Sequence, residues 1–350
     1  MDIQYLLAET IKNHSSDLHL QNNTYPVIRV DGRLKAIVNT PILTPQVLKQ
    51  LIFSLMTEDQ QKFFIENKEL DFSFALKDQA RFRVNAYIER SCPSAVLRLI
   101  PQKIKTIDEL NLPDICHKLT SLKAGLVLVT GPTGHGKSST LAAIIEEINT
   151  SRSEKIITIE DPIEYVYQNK KSIISQRELG QDTLSWKMAL RSALREDPDV
   201  VLVGEMRDLE TISATLTIAE TGHLVFSTLH TNSASQTIDR IVDVFPAHQQ
   251  NQIRIQLAAT LEAVVSQRLL PMVDGGRVPA LEVLLGTPAV KTNIREGKTH
   301  LIDNIIQTSQ DVGMIPLESY MKQLITEGKI TLQTAQMWSS HPQELSNKNH

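Results

Sequence analysis

The stretch Gly125-Leu126-Val127-Leu128-Val129-Thr130-Gly131-Pro132-Thr133-Gly134-His135-Gly136-Lys137-Ser138 decides the fold of this chain. Its last eight residues fit the phosphate-binding pattern G-x-x-x-x-G-K-[ST] at every fixed position. The six before them form a short apolar run rich in β-branched residues, the signature of a buried parallel strand. Those after, Ser139-Thr140-Leu141-Ala142-Ala143-Ile144-Ile145, place apolar side chains at helical spacing. Strand, glycine loop and helix start thus follow in the order that a phosphate loop requires. In such a loop the backbone N–H groups of Gly131, Thr133, Gly134, His135 and Gly136, with Pro132 lending shape, line a cradle for phosphate. The helix start at Lys137, Ser138 and Ser139 adds partial positive charge. Lys137 can reach the β- and γ-phosphates, and Ser138 can hold Mg²⁺. The reading predicts that the chain binds a nucleoside triphosphate, with ATP and Mg²⁺ as the expected ligands.

Composition narrows the class. The chain has 350 residues, enough for two domains with their own cores. A net charge of −4 argues against a dominant nucleic-acid surface, which would carry a basic excess. Only Cys92 and Cys116 occur, without metal-ligand spacing, so neither a disulfide framework nor a zinc site is expected. No basic segment followed by a long apolar run opens the chain, and no stretch approaches the length of a membrane span. A cytoplasmic location is expected, with any membrane role exercised through a partner and no direct insertion.

Working outward, residues 1–100 read as a small α+β domain. A helix is expected over Asp2 to Lys12 and another over Thr44 to Asn67, with Thr44-Pro45 as its start. Asp31-Gly32 between two apolar runs predicts a hairpin. Asp71 to Leu76 and Arg81 to Tyr87 alternate as strands, with Arg81, Arg83 and Asn85 on one face and Phe82, Val84 and Ala86 on the other. Residues 101–118 read as a linker, 119–286 as an α/β domain and 287–350 as a C-terminal helical region ending in a frayed tail. Besides the strand before the loop, Lys155 to Glu160, Asp199 to Glu205, His223 to Leu229 and Ala280 to Leu285 fit strands of a mostly parallel, open sheet of the RecA-like kind.

Ligands of such sheets sit at the carboxyl ends of the strands, and three ends here carry chemistry. Val200 to Glu205 is an apolar strand ending in an acid, the form of a Walker B segment. Glu205 there can contact Mg²⁺, directly or through water, or orient an attacking water. Ile156 to Glu164 is a second strand ending in acids, of which Glu160 and Asp161 can both face the site and Glu164 can simply be solvated. His230 ends a third strand and is a candidate for sensing the γ-phosphate. His223, at the start of that strand, reads equally as structural. Phosphoryl transfer needs positive charge as well, and no arginine flanks the loop closely in sequence. Arg81, Arg83 and Arg98 are the candidates, acting in cis or from a neighbouring subunit.

Ile157-Thr158-Ile159-Glu160-Asp161-Pro162-Ile163-Glu164-Tyr165 resembles the Asp box of the secretion and type IV pilus ATPases. Leu194 to Asp199 leading into Val203-Gly204-Glu205-Met206-Arg207-Asp208 is similar to their Walker B segment, and Ala219 to Ala234 to their His box. Ser16-Asp17-Leu18-His19-Leu20 and Ile28 to Gly32 are similar to the start of that family. The resemblance implies a PAS-like N-terminal domain joined to a RecA-like ATPase domain with C-terminal helices. It further implies a homohexamer, with ATP between the two domains and arginines reaching the phosphates. Glu160 and Glu205 would share the general-base and metal-water roles, with Ser138, Glu205 and Asp161 toward Mg²⁺. A short N-terminal domain and the absence of cysteines between Gln267 and Arg277 resemble the pilus-retraction branch. So does Thr287 to Glu296, although Val290, Lys291, Thr292 and Asn293 depart from its usual form. His135 also stands where a serine is usual. The implied work is pilus retraction through an inner-membrane platform protein, alongside other pilus ATPases. An accessory retraction ATPase, a short secretion ATPase or a non-hydrolysing regulatory ring is the alternative.

Overall fold

The computed structural model describes residues 1–30, 32–76, 80–100 and 103–346. The chain divides into two compact units, residues 1–103 with 162–166, and residues 104–161 with 167–350.

The first unit is one antiparallel sheet covered by helices. Helix α1 spans Ile3–Lys12, followed by strands β1 (Asp17–Leu20), β2 (Val27–Val30) and β3 (Arg33–Ala36), helices α2 (Pro45–Phe53) and α3 (Glu58–Asn67), and strands β4 (Glu69–Leu76), β5 (Ala80–Glu89) and β6 (Cys92–Ile100). The strand order is β3-β2-β1-β6-β5-β4. Phe82, Val84, Ala86 and Leu97 bury one face against Leu6, Leu7, Leu48, Ile52 and Phe64 of the helices. Arg81 and Arg83 point the other way, as period-two geometry requires. At the β2–β3 turn Gly32 takes φ +79, while Asp31 of the expected hairpin pair lies outside the described residues. The helix expected over Thr44 to Asn67 is two helices. Thr57 restarts the chain with a capping box, its hydroxyl accepting from Gln60 N–H (3.3 Å) and the Gln60 side chain accepting from Thr57 N–H (3.0 Å).

The second unit begins with α4 (Ile115–Thr120), β7 (Gly125–Thr130), α5 (Lys137–Ser151), β8 (Lys155–Glu160), β9 (Ile173–Glu178), α6 (Trp186–Ala193) and β10 (Val200–Val203). It continues through α7 (Leu209–Glu220), β11 (Leu224–Leu229), α8 (Ala234–Asp243), α9 (Ala247–Thr260), β12 (Leu261–Pro271) and β13 (Arg277–Leu285). Helices α10 (Pro288–Arg295), α11 (Ile302–Thr308), α12 (Leu317–Thr326), α13 (Leu332–Trp338) and α14 (Pro342–Ser346) follow. The sheet order is β13-β12-β7-β11-β10-β8-β9, with only β13 antiparallel to its neighbour. The fold is α/β, as the strand pattern implies. Strands β9 and β12 are additions to that pattern. Residues 347–350 of the expected frayed tail, and 101–102 of the expected linker, lie outside the described residues.

Leu126, Leu128, Ile157, Ile159, Val201, Val203 and Val225 turn one face of this sheet into core beneath Leu216, Ile238 and Leu257. Each such side chain contributes about 1.5–3 kcal/mol by leaving water. The parallel register then fixes where the strands end. Val203 lies beside Ile159 and Ser227, and Leu229 lies beside Thr130. Gly131, Glu160, Gly204 and His230 therefore emerge along one edge.

A histidine contact ties helix α5 to the segment before the sheet. His117 on α4 faces Glu147 of α5 through Nδ1 (2.8 Å) and Asp108 through Nε2 (3.3 Å). The Glu147 hydrogen bond, and after it Asp108, holds the imidazole above its ordinary value of 6.5. The folded chain thus favours the protonated ring. Its contribution is complete below the ordinary value and is lost as pH rises through the folded one. The melting temperature is expected to fall as pH rises above about 6.5, and to fall less in His117→Gln. Equal slopes in thermal-denaturation series of the two proteins would remove this contact from the account.

Candidate functional site

The loop after β7 is built on three left-handed glycines, Gly131 (φ +140), Gly134 (φ +80) and Gly136 (φ +82). At Gly131 sterics leave no choice of residue. A Cβ there would stand 2.2 Å from the carbonyl oxygen of Gln267 on β12. Gly136 caps α5 without a side-chain partner for the first helical N–H groups, so these donors face the loop's concavity. The Lys137 ammonium is buried beneath it and donates to the carbonyls of Gly131 (2.8 Å) and Pro132 (3.1 Å). Ser138 and Ser139 occupy the next two positions of the helix.

Gln267 is the buried brace of this loop. Its Nε2 donates to the His135 carbonyl (2.8 Å), and its Oε1 accepts from Thr140 Oγ1 (2.7 Å). His135 is itself engaged, its Nδ1 accepting the Leu269 N–H (2.9 Å). Burial, then the charges of Lys137, Arg277 and Arg268, holds its pKa below the ordinary value. The ring is therefore neutral near pH 7, and Nδ1 is free of a proton and able to accept.

The strand-end residues form a continuous line from the loop. His230 Nδ1 lies 3.3 Å from Lys137 Nζ and 3.3 Å from Thr133 Oγ1. An ammonium has only donors, so Nδ1 accepts and the proton of the neutral ring sits on Nε2. That nitrogen faces Glu205 Oε1 at 3.3 Å. Glu205 Oε2 accepts from Arg207 Nε (2.8 Å), and Arg207 Nη1 stands 3.7 Å from Asp161 Oδ2. The backbone holds Glu205 in place. Gly204 N–H donates to the Ile159 carbonyl (2.8 Å), and Thr228 Oγ1 to the Gly204 carbonyl (2.7 Å). Glu160, buried at the end of β8, accepts from Thr158 Oγ1 (2.6 Å) and Gln176 Nε2 (3.3 Å). Loop, His230, Glu205 and Asp161 are thus one chain of contacts, and Glu160 stands at the end of the neighbouring strand β8.

Of the remaining expected residues, Arg81, Arg83 and Arg98 belong to the first unit. Arg83 on β5 lies directly opposite Arg98 on β6. Arg81 Nη2 donates to Ser73 Oγ (2.6 Å), and Arg98 Nε to Asp17 Oδ1 (2.9 Å). Burial alone would raise the Asp17 carboxyl, but hydrogen bonds from Ser16 and Arg98 hold it below the usual carboxylate range. His223 closes α7 through Nδ1, donating to the Ile218 carbonyl (3.0 Å), a structural task. The divergent Thr287 to Glu296 segment is helix α10, where Val290 is buried and Lys291 pairs with Glu262 (2.9 Å). Arginine does reach the loop, contrary to the spacing in sequence. The β12–β13 hairpin returns Arg277, whose Nη1 donates to the Gly134 carbonyl (3.4 Å). Arg207 and Gln267 also escaped the sequence reading. Arg207 lies two residues after Glu205 in the Walker B-like segment, whereas nothing in a single glutamine announces a brace. Among the described residues no three His, Cys, Asp or Glu cluster as a metal site, and no helix is long and apolar enough to cross a membrane.

A family model described as type II/IV secretion system protein matches residues 1–340. The type IV pilus retraction ATPase PilT of Pseudomonas aeruginosa is 48% identical to this chain over 345 residues, covering 99% of this chain and 100% of that protein. A twitching motility protein of Neisseria gonorrhoeae is 49% identical over 322 residues, covering 92% of this chain and 86% of that protein. The crystal structure of the pilus retraction motor PilT with bound ADP superposes with a TM-score of 0.92 at 46% identity, covering 98% of both chains.

The brace can be tested on its own. Gln267→Leu leaves the His135 carbonyl and the Thr140 hydroxyl without their buried partner, a loss of about 2 kcal/mol. A lower thermal-unfolding midpoint and weaker phosphate-ligand binding are expected in a thermal-shift and binding pair. Wild-type values in both would show that Gln267 does not hold the loop.

Proposed function

The chain belongs to the type II/IV secretion system protein family, and on that premise we propose that it is an ATP-hydrolysing, hexameric motor driving type IV pilus retraction. The observation that carries this reading is the line of contacts from the Lys137 ammonium through His230 to Glu205, set on a phosphate loop. The 48% identity to a retraction ATPase over nearly the whole chain supports the direction of work.

In this reading the loop N–H groups and the start of α5 bind the triphosphate, and Lys137 turns from the loop carbonyls to the β- and γ-phosphates. The Ser138 hydroxyl and the Glu205 and Asp161 carboxylates are hard oxygen donors of the kind Mg²⁺ takes. Mg²⁺ held there supplies neutralising charge on the phosphate oxygens. His230 links the phosphate end of the loop to Glu205 and reports the γ-phosphate. Glu160 and Glu205 divide the general-base and metal-water roles. Arg81, Arg83 and Arg98 supply positive charge to the phosphates, in cis or from a neighbouring subunit. The hexamer works at the cytoplasmic face of the inner membrane on a platform protein of the pilus.

Lys137→Ala is expected to lower ATP turnover about a hundredfold or more. Full residual turnover would sink the assignment of the loop. Glu160→Gln and Glu205→Gln are expected to keep ATP binding and lose hydrolysis. The base is the acid whose variant keeps the Mg²⁺ dependence of binding, and loss of binding would make that acid structural. A deletion strain should be hyperpiliated and unable to twitch. Bald cells would indicate extension, and a secretion defect would indicate a secretion ATPase.

A further inference from the structure

His135 sits between two left-handed glycines, so little in the local backbone fixes the apex of the loop. Contacts made by His135 itself do so. Its carbonyl and Nδ1 are both bound to β12, through Gln267 and the Leu269 N–H. Its ring meets the indole of Trp338, with centroids 5.4 Å apart and planes at 57°. Trp338 is the last residue of α13, 203 positions further along the chain by its number alone.

The segment that carries Trp338 is itself pinned. The Trp338 carbonyl accepts from Arg268 Nη1, and Arg268 Nη2 donates to Ser340 Oγ (2.9 Å). Glu318 on α12 gathers the next three residues, its Oε1 accepting from Ser339 Oγ (2.7 Å), Ser340 N–H (3.1 Å) and His341 N–H (3.0 Å). Strand β12 therefore serves both sides of one junction. Gln267 and Leu269 hold the loop, and Arg268 between them holds the C-terminal segment. A serine at position 135 would offer no ring to the indole.

We propose that His135 is a positioning residue coupling the phosphate loop to the C-terminal segment, so that nucleotide binding and the seating of Trp338 depend on each other. The inference rests on the reading of the loop as a nucleotide site. A change that loosens Trp338 weakens the nucleotide, and by reciprocity the nucleotide alters the surroundings of Trp338. Any partner that displaces α13 thereby gains a grip on the nucleotide without touching it.

The full chain has two tryptophans, so Trp186→Phe leaves Trp338 as the only indole emitter. Trp186→Tyr serves if the phenylalanine variant folds poorly. ADP with Mg²⁺ is titrated, and indole emission is followed beside calorimetric binding. Trp338 emission is expected to change and to saturate with ADP, and His135→Ser to abolish that change. His135→Ser and Trp338→Ala should each weaken ADP about fivefold, the factor corresponding to ~1 kcal/mol. The double variant should be no weaker than the His135→Ser single. Tight ADP binding with silent Trp338 emission, or strictly additive losses, overturns the coupling alone. Absence of ADP binding to the wild-type chain overturns the nucleotide site and the coupling with it.

Discussion

At Gly131 the backbone passes so near the Gln267 carbonyl that an added carbon would lie 2.2 Å from it, and the rest of the site takes its position from that approach. The contact puts β12 against the loop along its length. Gln267 can then bond both the His135 carbonyl and the Thr140 hydroxyl, joining loop, helix α5 and strand through one buried amide. A buried amide is costly unless satisfied at both ends, and this one is satisfied at both. The loop's shape is thus set by a neighbouring strand as much as by its own glycines.

The sheet supplies the other constraint. Because β7, β8, β10 and β11 run parallel in a tight register, their carboxyl ends deliver a lysine, two acids and a histidine to one edge. Hydrogen-bond chemistry then orders them. An ammonium on Nδ1 of His230 leaves its Nε2–H for Glu205, so the imidazole carries direction as well as proximity. Charge moved at the loop is felt at Glu205 through a single ring.

The loop, the strand before it and the helix after it were legible because glycine, lysine and hydroxyl spacing is dictated by phosphate geometry. Glu160, Glu205 and His230 were legible because apolar runs mark strands, and ligands collect where parallel strands end. What escaped was decided by tertiary contact. Strand β12 follows α9 without a break, Thr260 ending the helix and Leu261 starting the strand, so no glycine or proline marked the change. Strand β9 is polar at four of its six positions, as a sheet edge permits, and lacks the apolar run of a central strand. The break before α3 was written in Thr57 and Gln60, a capping pair hidden inside an otherwise helical stretch. Arg277 reaches Gly134 only because a hairpin turns back, which sequence distance cannot express.

Lys137 has a consequence beyond its charge. A lysine side chain on a surface samples many rotamers, and stilling it costs up to about 2 kcal/mol of conformational entropy. Here folding has already stilled it, with the ammonium tethered to two carbonyls of its own loop. A phosphate arriving at the loop exchanges one set of acceptors for a better one and need not order a wandering chain. Recognition at this lysine is thereby a swap of partners on a donor that folding has already ordered.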